Sequence, residues 1–300
     1  STPSNSSAAS DVYKRQNLMP MLLKECPHDG FLTMSLDVKE AEDKYPSALY
    51  GNFSHVGIND FKAVEEFNPD VAIHLATVTT ARNDTEIIVP MMRANIEFGV
   101  LLLDVLSRCP AMKLFVNTGS FAEFRYGNGD FDAAYLYTAS KTAFRSFVDY
   151  YSTLSGFKYI TAIPYSVYGG KMTVKRLMDY IKESMDAENP IDMTLGEQIL
   201  DFIHVDDIAG FFIHMLKNME QVLTVPNGTD FHLGTGRGIS IRELAEMIEG
   251  EYGKKCNINW GGRPYRERDI MYAVAPIAKN MPLIGWKAKI GISEGIKIRE

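Results

Sequence analysis

Cysteine is scarce in this 300-residue chain: Cys26, Cys109 and Cys256 are odd in number and show no metal-ligand spacing. They read as free thiols in a reducing compartment rather than as a disulfide framework or a metal site. The six histidines are scattered and form no metal cluster either. Long apolar runs are missing; stretches such as Val100 to Leu103 fall far short of the roughly 20 residues that span a bilayer. Positive charge is not in excess, and a formal net charge of −7 leaves no basic footprint for nucleic acid. No internal repeat occurs. What remains is a soluble, cytoplasmic enzyme or binding protein, long enough to bury a full core in one large or two modest domains.

The first stretch lacks structure-forming residues. Residues 1–16 are Ser/Ala/Asn-rich, do not begin with Met and have no apolar h-region, so they are not a signal peptide and read as a non-native or disordered leader. From Asn17 the pattern changes. Leu18 to Glu25 reads as an amphipathic helix interrupted early by Pro20, and Phe31 to Asp37 as a strand ending in an acid. That is the second half of a βαβ unit. Its first strand and glycine-rich turn are expected just before Asn17, where the chain carries neither, so the chain reads as an N-terminally truncated α/β protein.

Strand-like and helix-like segments then alternate, which predicts a parallel sheet with helices on both faces. Val71 to Ala76, Lys113 to Val116 and Tyr159 to Pro164 read as strands; Ala94 to Arg108 and Tyr137 to Leu154 read as long helices. After Tyr168-Gly169-Gly170 come a helix over Lys171 to Asp186, an extended stretch from Phe202 to Asp207 and a helix over Ile208 to Leu216. Phe231 to Gly236 leads into a helix over Ile241 to Glu249, and an arginine cluster and Gly285-Trp286 close the chain.

Tyr137 and Lys141 form the one Tyr-x-x-x-Lys pair in the chain. A spacing of four puts both on one helix face, where an ammonium can lower a phenol that otherwise titrates near about 10. Such a tyrosine works as an acid/base at neutral pH. A surface Tyr and Lys on an amphipathic helix is the bland alternative. The apolar run Leu114-Phe115-Val116 ends in Asn117-Thr118-Gly119-Ser120 shortly before the pair, and that setting favours chemistry.

With these residues in view, the chain resembles the extended short-chain dehydrogenase/reductases that act on nucleotide sugars, the NAD-dependent epimerase/dehydratase family. The landmarks are His74-Leu75-Ala76, Tyr137-x-x-x-Lys141, Asp201-Phe202-Ile203-His204-Val205-Asp206-Asp207 and Leu233-Gly234-Thr235-Gly236. Within that group it looks similar to 4-ketoreductases of the CDP-abequose synthase type, through Asn117 to Phe121, Gly196-Glu197-Gln198 and Asp269 to Val274. The resemblance implies a Rossmann-like doubly wound parallel sheet with a smaller C-terminal α/β substrate domain. Residues 17–167 plus about 200–230 would form the dinucleotide-binding half; about 168–199 plus 231–300 would bind the nucleotide sugar.

It also implies roles. Tyr137 would trade a proton with a sugar oxygen while nicotinamide gives or takes hydride, and Lys141 would hold the cofactor ribose and depress the tyrosine. Thr118 aligns with the hydroxyl that binds the reacting oxygen; Ser120, two residues on, is the fallback. Asp37 suits the adenosine ribose hydroxyls, favouring NAD over NADP. Asn52 stands where the family has an acid facing adenine. Leu75, Ala76, Thr77, Asn95 and Pro164 are expected along the cofactor cleft, although Asn95 also suits a buried, hydrogen-bonded role. Arg266 matches a pyrophosphate-binding arginine, and Tyr168 turns the chain into the sugar pocket. Leu200 replaces a second phosphate arginine, leaving Lys175 or Arg176 to supply that contact. A homodimer is implied through the helix that bears the Tyr-Lys pair, with no metal and no nucleic-acid or membrane partner.

Three enzyme readings compete. The family's dehydratases place an Asp-Glu pair after the catalytic threonine, and here those positions are Gly119 and Ser120, which counts against dehydration. Reduction of a nucleotide-linked 4-keto-deoxyhexose leads, with 4-epimerisation second. A catalytically dead nucleotide-sugar or dinucleotide sensor is the alternative from another class, since the missing glycine-rich loop should leave this chain binding dinucleotide poorly.

Overall fold

A computed structural model describes residues 18–47, 53–127, 129–170 and 175–298. The leader 1–16 and Asn52 lie outside the described residues. Helix α1 (18–25) buries Leu18, Met19 and Leu22, and Pro20 sits in its first described turn, where a missing N–H is tolerated. Strand β1 (Phe31–Ser35) leads through α2 (Val38–Lys44) to β2 (Phe53–Gly57), its parallel neighbour. Helix α3 (Phe61–Phe67) follows, then β3 (Val71–His74). Helix α4 (Thr85–Met92) runs through one π turn at Arg93–Glu97 into α5 (Phe98–Leu106). Helical structure thus begins well before Ala94, because Pro90 lies within α4 without ending it.

Strand β4 (Leu114–Thr118), helix α6 (Leu136–Ser155) and β5 (Lys158–Pro164) continue the alternation. Next come β6 (Ser166–Tyr168), α7 (Leu177–Ser184), β7 (Ile191–Met193), β8 (Ile199–His204), α8 (Val205–Lys217), α9 (Met219–Val222) and β9 (Thr229–Leu233). Strand β10 (Gly238–Ser240), α10 (Ile241–Tyr252), β11 (Ile258–Trp260) and β12 (Tyr272–Ala273) complete the larger elements. Helix α7 is shorter than the span 171–186 predicted for it, with Arg176 at its N-cap, and Asp206 and Asp207 fall in the first turn of α8 rather than in a strand.

The α/β class and the parallel sheet stand as expected. Strands β3, β4, β5 and β9 pair side by side, all parallel. Every residue of β4 is buried, as befits a parallel strand covered on both faces. Leu114 and Val116 face a core shared with α1, α8 and β9, while Phe115 faces a second core with α5 and α6. That alternation is the doubly wound arrangement. Helix α10 packs with α7 over Phe202 in a third cluster.

Two expected boundaries shift. Strand β8 pairs with β6, β10 and β12, not with the main sheet, so Ile199–His204 sits in a second four-stranded sheet. Conversely Phe231–Leu233 belong to β9 and extend the main sheet. The buried carboxylate of Asp201 joins the two parts, accepting from Thr235 N (2.9 Å), Thr235 Oγ1 (2.7 Å), Gly236 N (2.8 Å) and Ala275 N (3.2 Å). Gly234 serves this close approach, since a Cβ there would lie 2.6 Å from Asp201 Oδ2. Asp207 accepts from the backbone of Lys289 and Ile290, both at 2.9 Å, and ties down the tail. Among the described residues no helix is long and apolar enough to cross a membrane.

Candidate active site

The end of β4 and the start of α6 converge. The chain leaves β4 at Thr118, passes Gly119, and turns at Ser120 into a 3₁₀ turn over Phe121–Glu123. Ser120 and Glu123 form a capping box: Ala122 N donates to Ser120 Oγ at 3.3 Å, and Ser120 N donates to Glu123 Oε1 at 2.8 Å. This fixes the serine so that its hydroxyl lies 3.3 Å from Tyr137 Oη. Lys141, one turn further along α6, is buried and donates from Nζ to the Thr118 carbonyl at 2.7 Å. The structure therefore brings Tyr137, Lys141 and Ser120 together. Thr118, first choice for the positioning hydroxyl, contributes its carbonyl instead; its Oγ1 is buried without a hydrogen-bond partner.

Tyr137 does not show the depressed phenol expected from Lys141. Withdrawal from water raises it above its ordinary value, the Ser120 hydrogen bond and the Arg176 charge pull it part of the way back, and Glu123 adds to the rise. The lysine's ammonium is held by Thr118 and bears instead on His74. Burial, with the Lys141 charge second, drives that histidine down to about 3, so it is neutral among the rings of Phe98, Phe115 and Phe144.

Residues missed in the sequence reading surround this centre. Glu123 is fully buried and takes Arg145 Nε at 2.8 Å, Thr142 Oγ1 at 3.1 Å and the Ser120 amide. Arg145 reaches on to Asp230 Oδ1 at 2.7 Å. The Ser-x-x-Glu spacing at Ser120 to Glu123 was the available signal. Tyr135 stacks on Tyr137 with centroids 5.8 Å apart and rings 9° from parallel, and its hydroxyl donates to Asp269 Oδ1 at 3.2 Å. Burial and then Asp269 push Tyr135 up to about 12. Arg266, exposed on the same loop, gives its backbone N–H to Asp269 Oδ2 at 2.9 Å and so stands beside the tyrosine pair.

The other expected site residues fall as follows. Asn95 lies in the π turn. Its Oδ1 accepts from Thr77 Oγ1 (3.2 Å) and Val78 N (2.6 Å), and its Nδ2 donates to Val78 O (3.1 Å) and Ser140 Oγ (2.9 Å). It braces the loop after β3 against the helix bearing Tyr137. Ala76 and Leu75 follow β3, and Pro164 ends β5 on the same side of the sheet as Thr118. Asp37 is exposed at the end of β1 and caps α2 through Glu40 N at 2.9 Å. Lys175 is engaged with Glu183 at 2.8 Å, whereas the Arg176 charge reaches Tyr137. Tyr168 is buried, its hydroxyl 3.4 Å from the Gly291 carbonyl, and it packs in the cluster of the second half.

These positions suit one end of a dinucleotide. A Tyr and a buried Lys on α6, beside the Ser120 hydroxyl just past β4, could hold a nicotinamide ribose, and exposed Asp37 could hold an adenosine ribose.

Comparisons with known proteins agree on lineage. Two CDP-abequose synthases resemble the chain: that of Salmonella typhimurium is 28% identical over 243 residues, 78% of each chain, and that of Salmonella muenchen 27% identical over 291 residues, 94% of this chain and 91% of the relative. The crystal structure of UDP-glucuronic acid 4-epimerase from Bacillus cereus, in complex with UDP-glucuronic acid and NAD, has a TM-score of 0.80 at 18% identity, covering 96% of this chain and 95% of that one. At that identity the likeness is one of fold. The family pattern itself runs from Leu18 to Gly234, through β4, the Tyr-Lys helix and β9, and on that match the protein belongs to the NAD dependent epimerase/dehydratase family.

Proposed function

We propose that this protein reduces a nucleotide-linked 4-keto-deoxyhexose, with NAD as the favoured cofactor over NADP. The observation that carries the reading is the phenol of Tyr137, 3.3 Å from Ser120 Oγ and raised above its ordinary value. Net reduction needs one proton for each hydride, and a phenol that stays protonated at neutral pH is a loaded donor. When bound, a reduced nicotinamide would supply the hydride. Tyr137 O–H gives its proton to the carbonyl oxygen, and the Ser120 hydroxyl hydrogen-bonds the same oxygen as charge develops on it. Lys141, held at the Thr118 carbonyl, keeps its ammonium at the end of β4, where it would hold the cofactor ribose. Arg266 and Arg176 supply guanidinium groups for the substrate's pyrophosphate.

Glu123 supports reduction over dehydration. It is the carboxylate nearest the site, yet its oxygens are taken by Arg145, Thr142 and the Ser120 amide. That leaves no acid/base pair for eliminating water. A 4-epimerase is the second reading, favoured by the shared fold of the Bacillus cereus enzyme. Epimerisation requires Tyr137 to act as a base as well as an acid. Stoichiometry decides: with millimolar reduced cofactor, one equivalent oxidised per keto sugar consumed supports reduction, and sugar interconversion without net cofactor loss overturns it.

The assembly belongs to the same reading. Residues 168–204 and 234–300 form the sugar-binding half, and two copies pair through α6, where Phe147, Tyr150 and Leu154 are exposed at i, i+3 and i+7. Phe144 of that helix is core instead.

A further inference from the structure

The segment that leads into α6 is held on two sides. Asp132 N donates to Glu123 O and Ala134 N to Ala122 O, both at 2.9 Å, so it lies against the turn that carries Ser120. On its other side stands the C-terminal loop, 134 to 136 residues further along the chain. Arg268 gives a guanidinium N–H to Ala133 O at 2.8 Å and pairs with Asp132. Tyr135 Oη donates to Asp269 Oδ1 at 3.2 Å, and the other oxygen of that carboxylate takes the Arg266 amide at 2.9 Å. Asp269 N closes the same turn on Arg266 O at 3.1 Å. The loop that presents Arg266 is therefore fastened to the approach to α6.

Tyr135 can make this connection because it stands just outside the helix. Within a helix, residues two apart do not face each other. Tyr135 is extended, at φ −136° and ψ 159°, and its N–H and carbonyl are both tied to Thr138 Oγ1, at 3.1 and 2.8 Å. Its ring lies alongside that of Tyr137, 9° from parallel. The two phenols have different partners, Asp269 for Tyr135 and Ser120 for Tyr137. Each also feels one of the arginines assigned above to phosphate: the Arg266 charge bears on Tyr135 and the Arg176 charge on Tyr137. Packing alone would be met by phenylalanine; the hydroxyl makes Tyr135 a connector.

We propose that Tyr135 is a positioning residue that couples a diphosphate bound at Arg266 to Tyr137: its hydroxyl holds Asp269 and with it the Arg266 loop, while its ring sets the plane of the Tyr137 ring. The nucleotide end of the substrate takes no part in the chemistry, yet its binding helps to align the acid. The inference rests on the reading of Arg266 as a pyrophosphate contact and is the same for reduction and for epimerisation.

Amide exchange followed by NMR tests this without turnover or cofactor. Thr138 N and Ala139 N donate to the Tyr135 carbonyl at 3.1 and 3.0 Å, so their exchange reports how firmly Tyr135 is held. In the parent chain, saturating CDP should slow exchange at Asp269 and, by about fivefold or more, at Thr138 and Ala139; cytidine, which lacks the diphosphate, should do neither. Tyr135→Phe keeps the ring and loses the hydroxyl. In that variant CDP should still protect Asp269, with the effect at Thr138 and Ala139 reduced to less than about twofold. Protection at Asp269 alone in the parent, or an undiminished effect at Thr138 and Ala139 in Tyr135→Phe, overturns the coupling and leaves the substrate reading standing. No protection by CDP at any of these amides removes the phosphate role of Arg266 and the coupling with it. Arg266→Gln should abolish both effects; protection that survives places the diphosphate elsewhere and also overturns the proposal.

Discussion

Loss of water around the Tyr137 phenol raises it, while Ser120 and Arg176 act in the opposite direction and do not win, so the acid form is the resting one. Removing that proton with Tyr137→Phe should cut turnover by about a thousandfold while leaving Tm unchanged, as steady-state kinetics and calorimetry will show. The two neighbouring hydroxyls separate by geometry. Ser120→Ala removes the group 3.3 Å from the phenol and should cost on the order of a hundredfold in kcat. Thr118→Val removes a buried hydroxyl that has no partner, and should change kcat by less than about threefold and stability by at most about 1 kcal/mol upward. A large kcat loss in Thr118→Val with none in Ser120→Ala would reverse the two roles. Histidines set the acid limit. His74 is held down to about 3 and His232 to about 4, both chiefly by burial, against an ordinary 6.5. The unfolded chain therefore takes up protons first as pH falls. Stability should be full above about pH 6.5 and drop toward 4 and then 3, by up to about 1.4 kcal/mol per pH unit for each histidine. Urea unfolding of His232→Gln should show a shallower slope between pH 6.5 and 4 than the parent; equal slopes would remove His232 from this account.

Helices α5 and α6 meet closely at Gly99, where a Cβ would lie 2.5 Å from the Phe144 ring. Glycine inside a helix ordinarily costs about 1 kcal/mol relative to alanine, so Gly99→Ala on an open face would stabilise. Here overpacking wins, and Gly99→Ala should lower stability by about 1–3 kcal/mol in denaturant unfolding; a gain would show that the two helices can move apart freely. That contact was invisible in the sequence, where Gly99 looked like any residue of an apolar helix. The elements with strong period, β4 and α6 above all, were legible because apolar runs and an i to i+4 pair need no tertiary information. The partner of Tyr137 was not legible to one residue. Thr118 and Ser120 stand on the same strand end, and only the capping box with Glu123 decides which hydroxyl turns toward the phenol. Strand β8 misled for a related reason. Its apolar residues suit either sheet, and the choice is made by pairing with β6, β10 and β12, which are distant in sequence.

At the scale of the whole molecule, two surfaces remain to be covered. On α6, Phe147, Tyr150 and Leu154 are 39%, 60% and 62% exposed and fall in one helical stripe, which suits a second copy of the chain. Phe147→Glu should shift a dimer to monomer in analytical ultracentrifugation without loss of fold, and a parent that sediments as a monomer would exclude this pairing. The cofactor cleft differs, because its affinity rests on groups beyond the Tyr-Lys pair. Dinucleotide affinity in this fold comes largely from the pyrophosphate, which a glycine-rich strand-to-helix turn seats against backbone N–H groups at a helix N-terminus. Residues 1–29 contain no glycine. Asp37 still offers a carboxylate at the end of β1, but it already accepts from Glu40 N, and a single ribose contact is worth far less than the seat it would accompany. This polypeptide should therefore bind reduced dinucleotide more weakly than micromolar, measured by quenching of its two tryptophans and by calorimetry. Grafting a short apolar strand and a Gly-x-x-Gly-x-x-Gly turn ahead of Leu18 should tighten binding by at least about a hundredfold, because it adds backbone N–H groups that seat the pyrophosphate. Micromolar binding by the chain as it stands would mean that Lys141, Asp37 and the loop after β3 hold the cofactor without a phosphate seat.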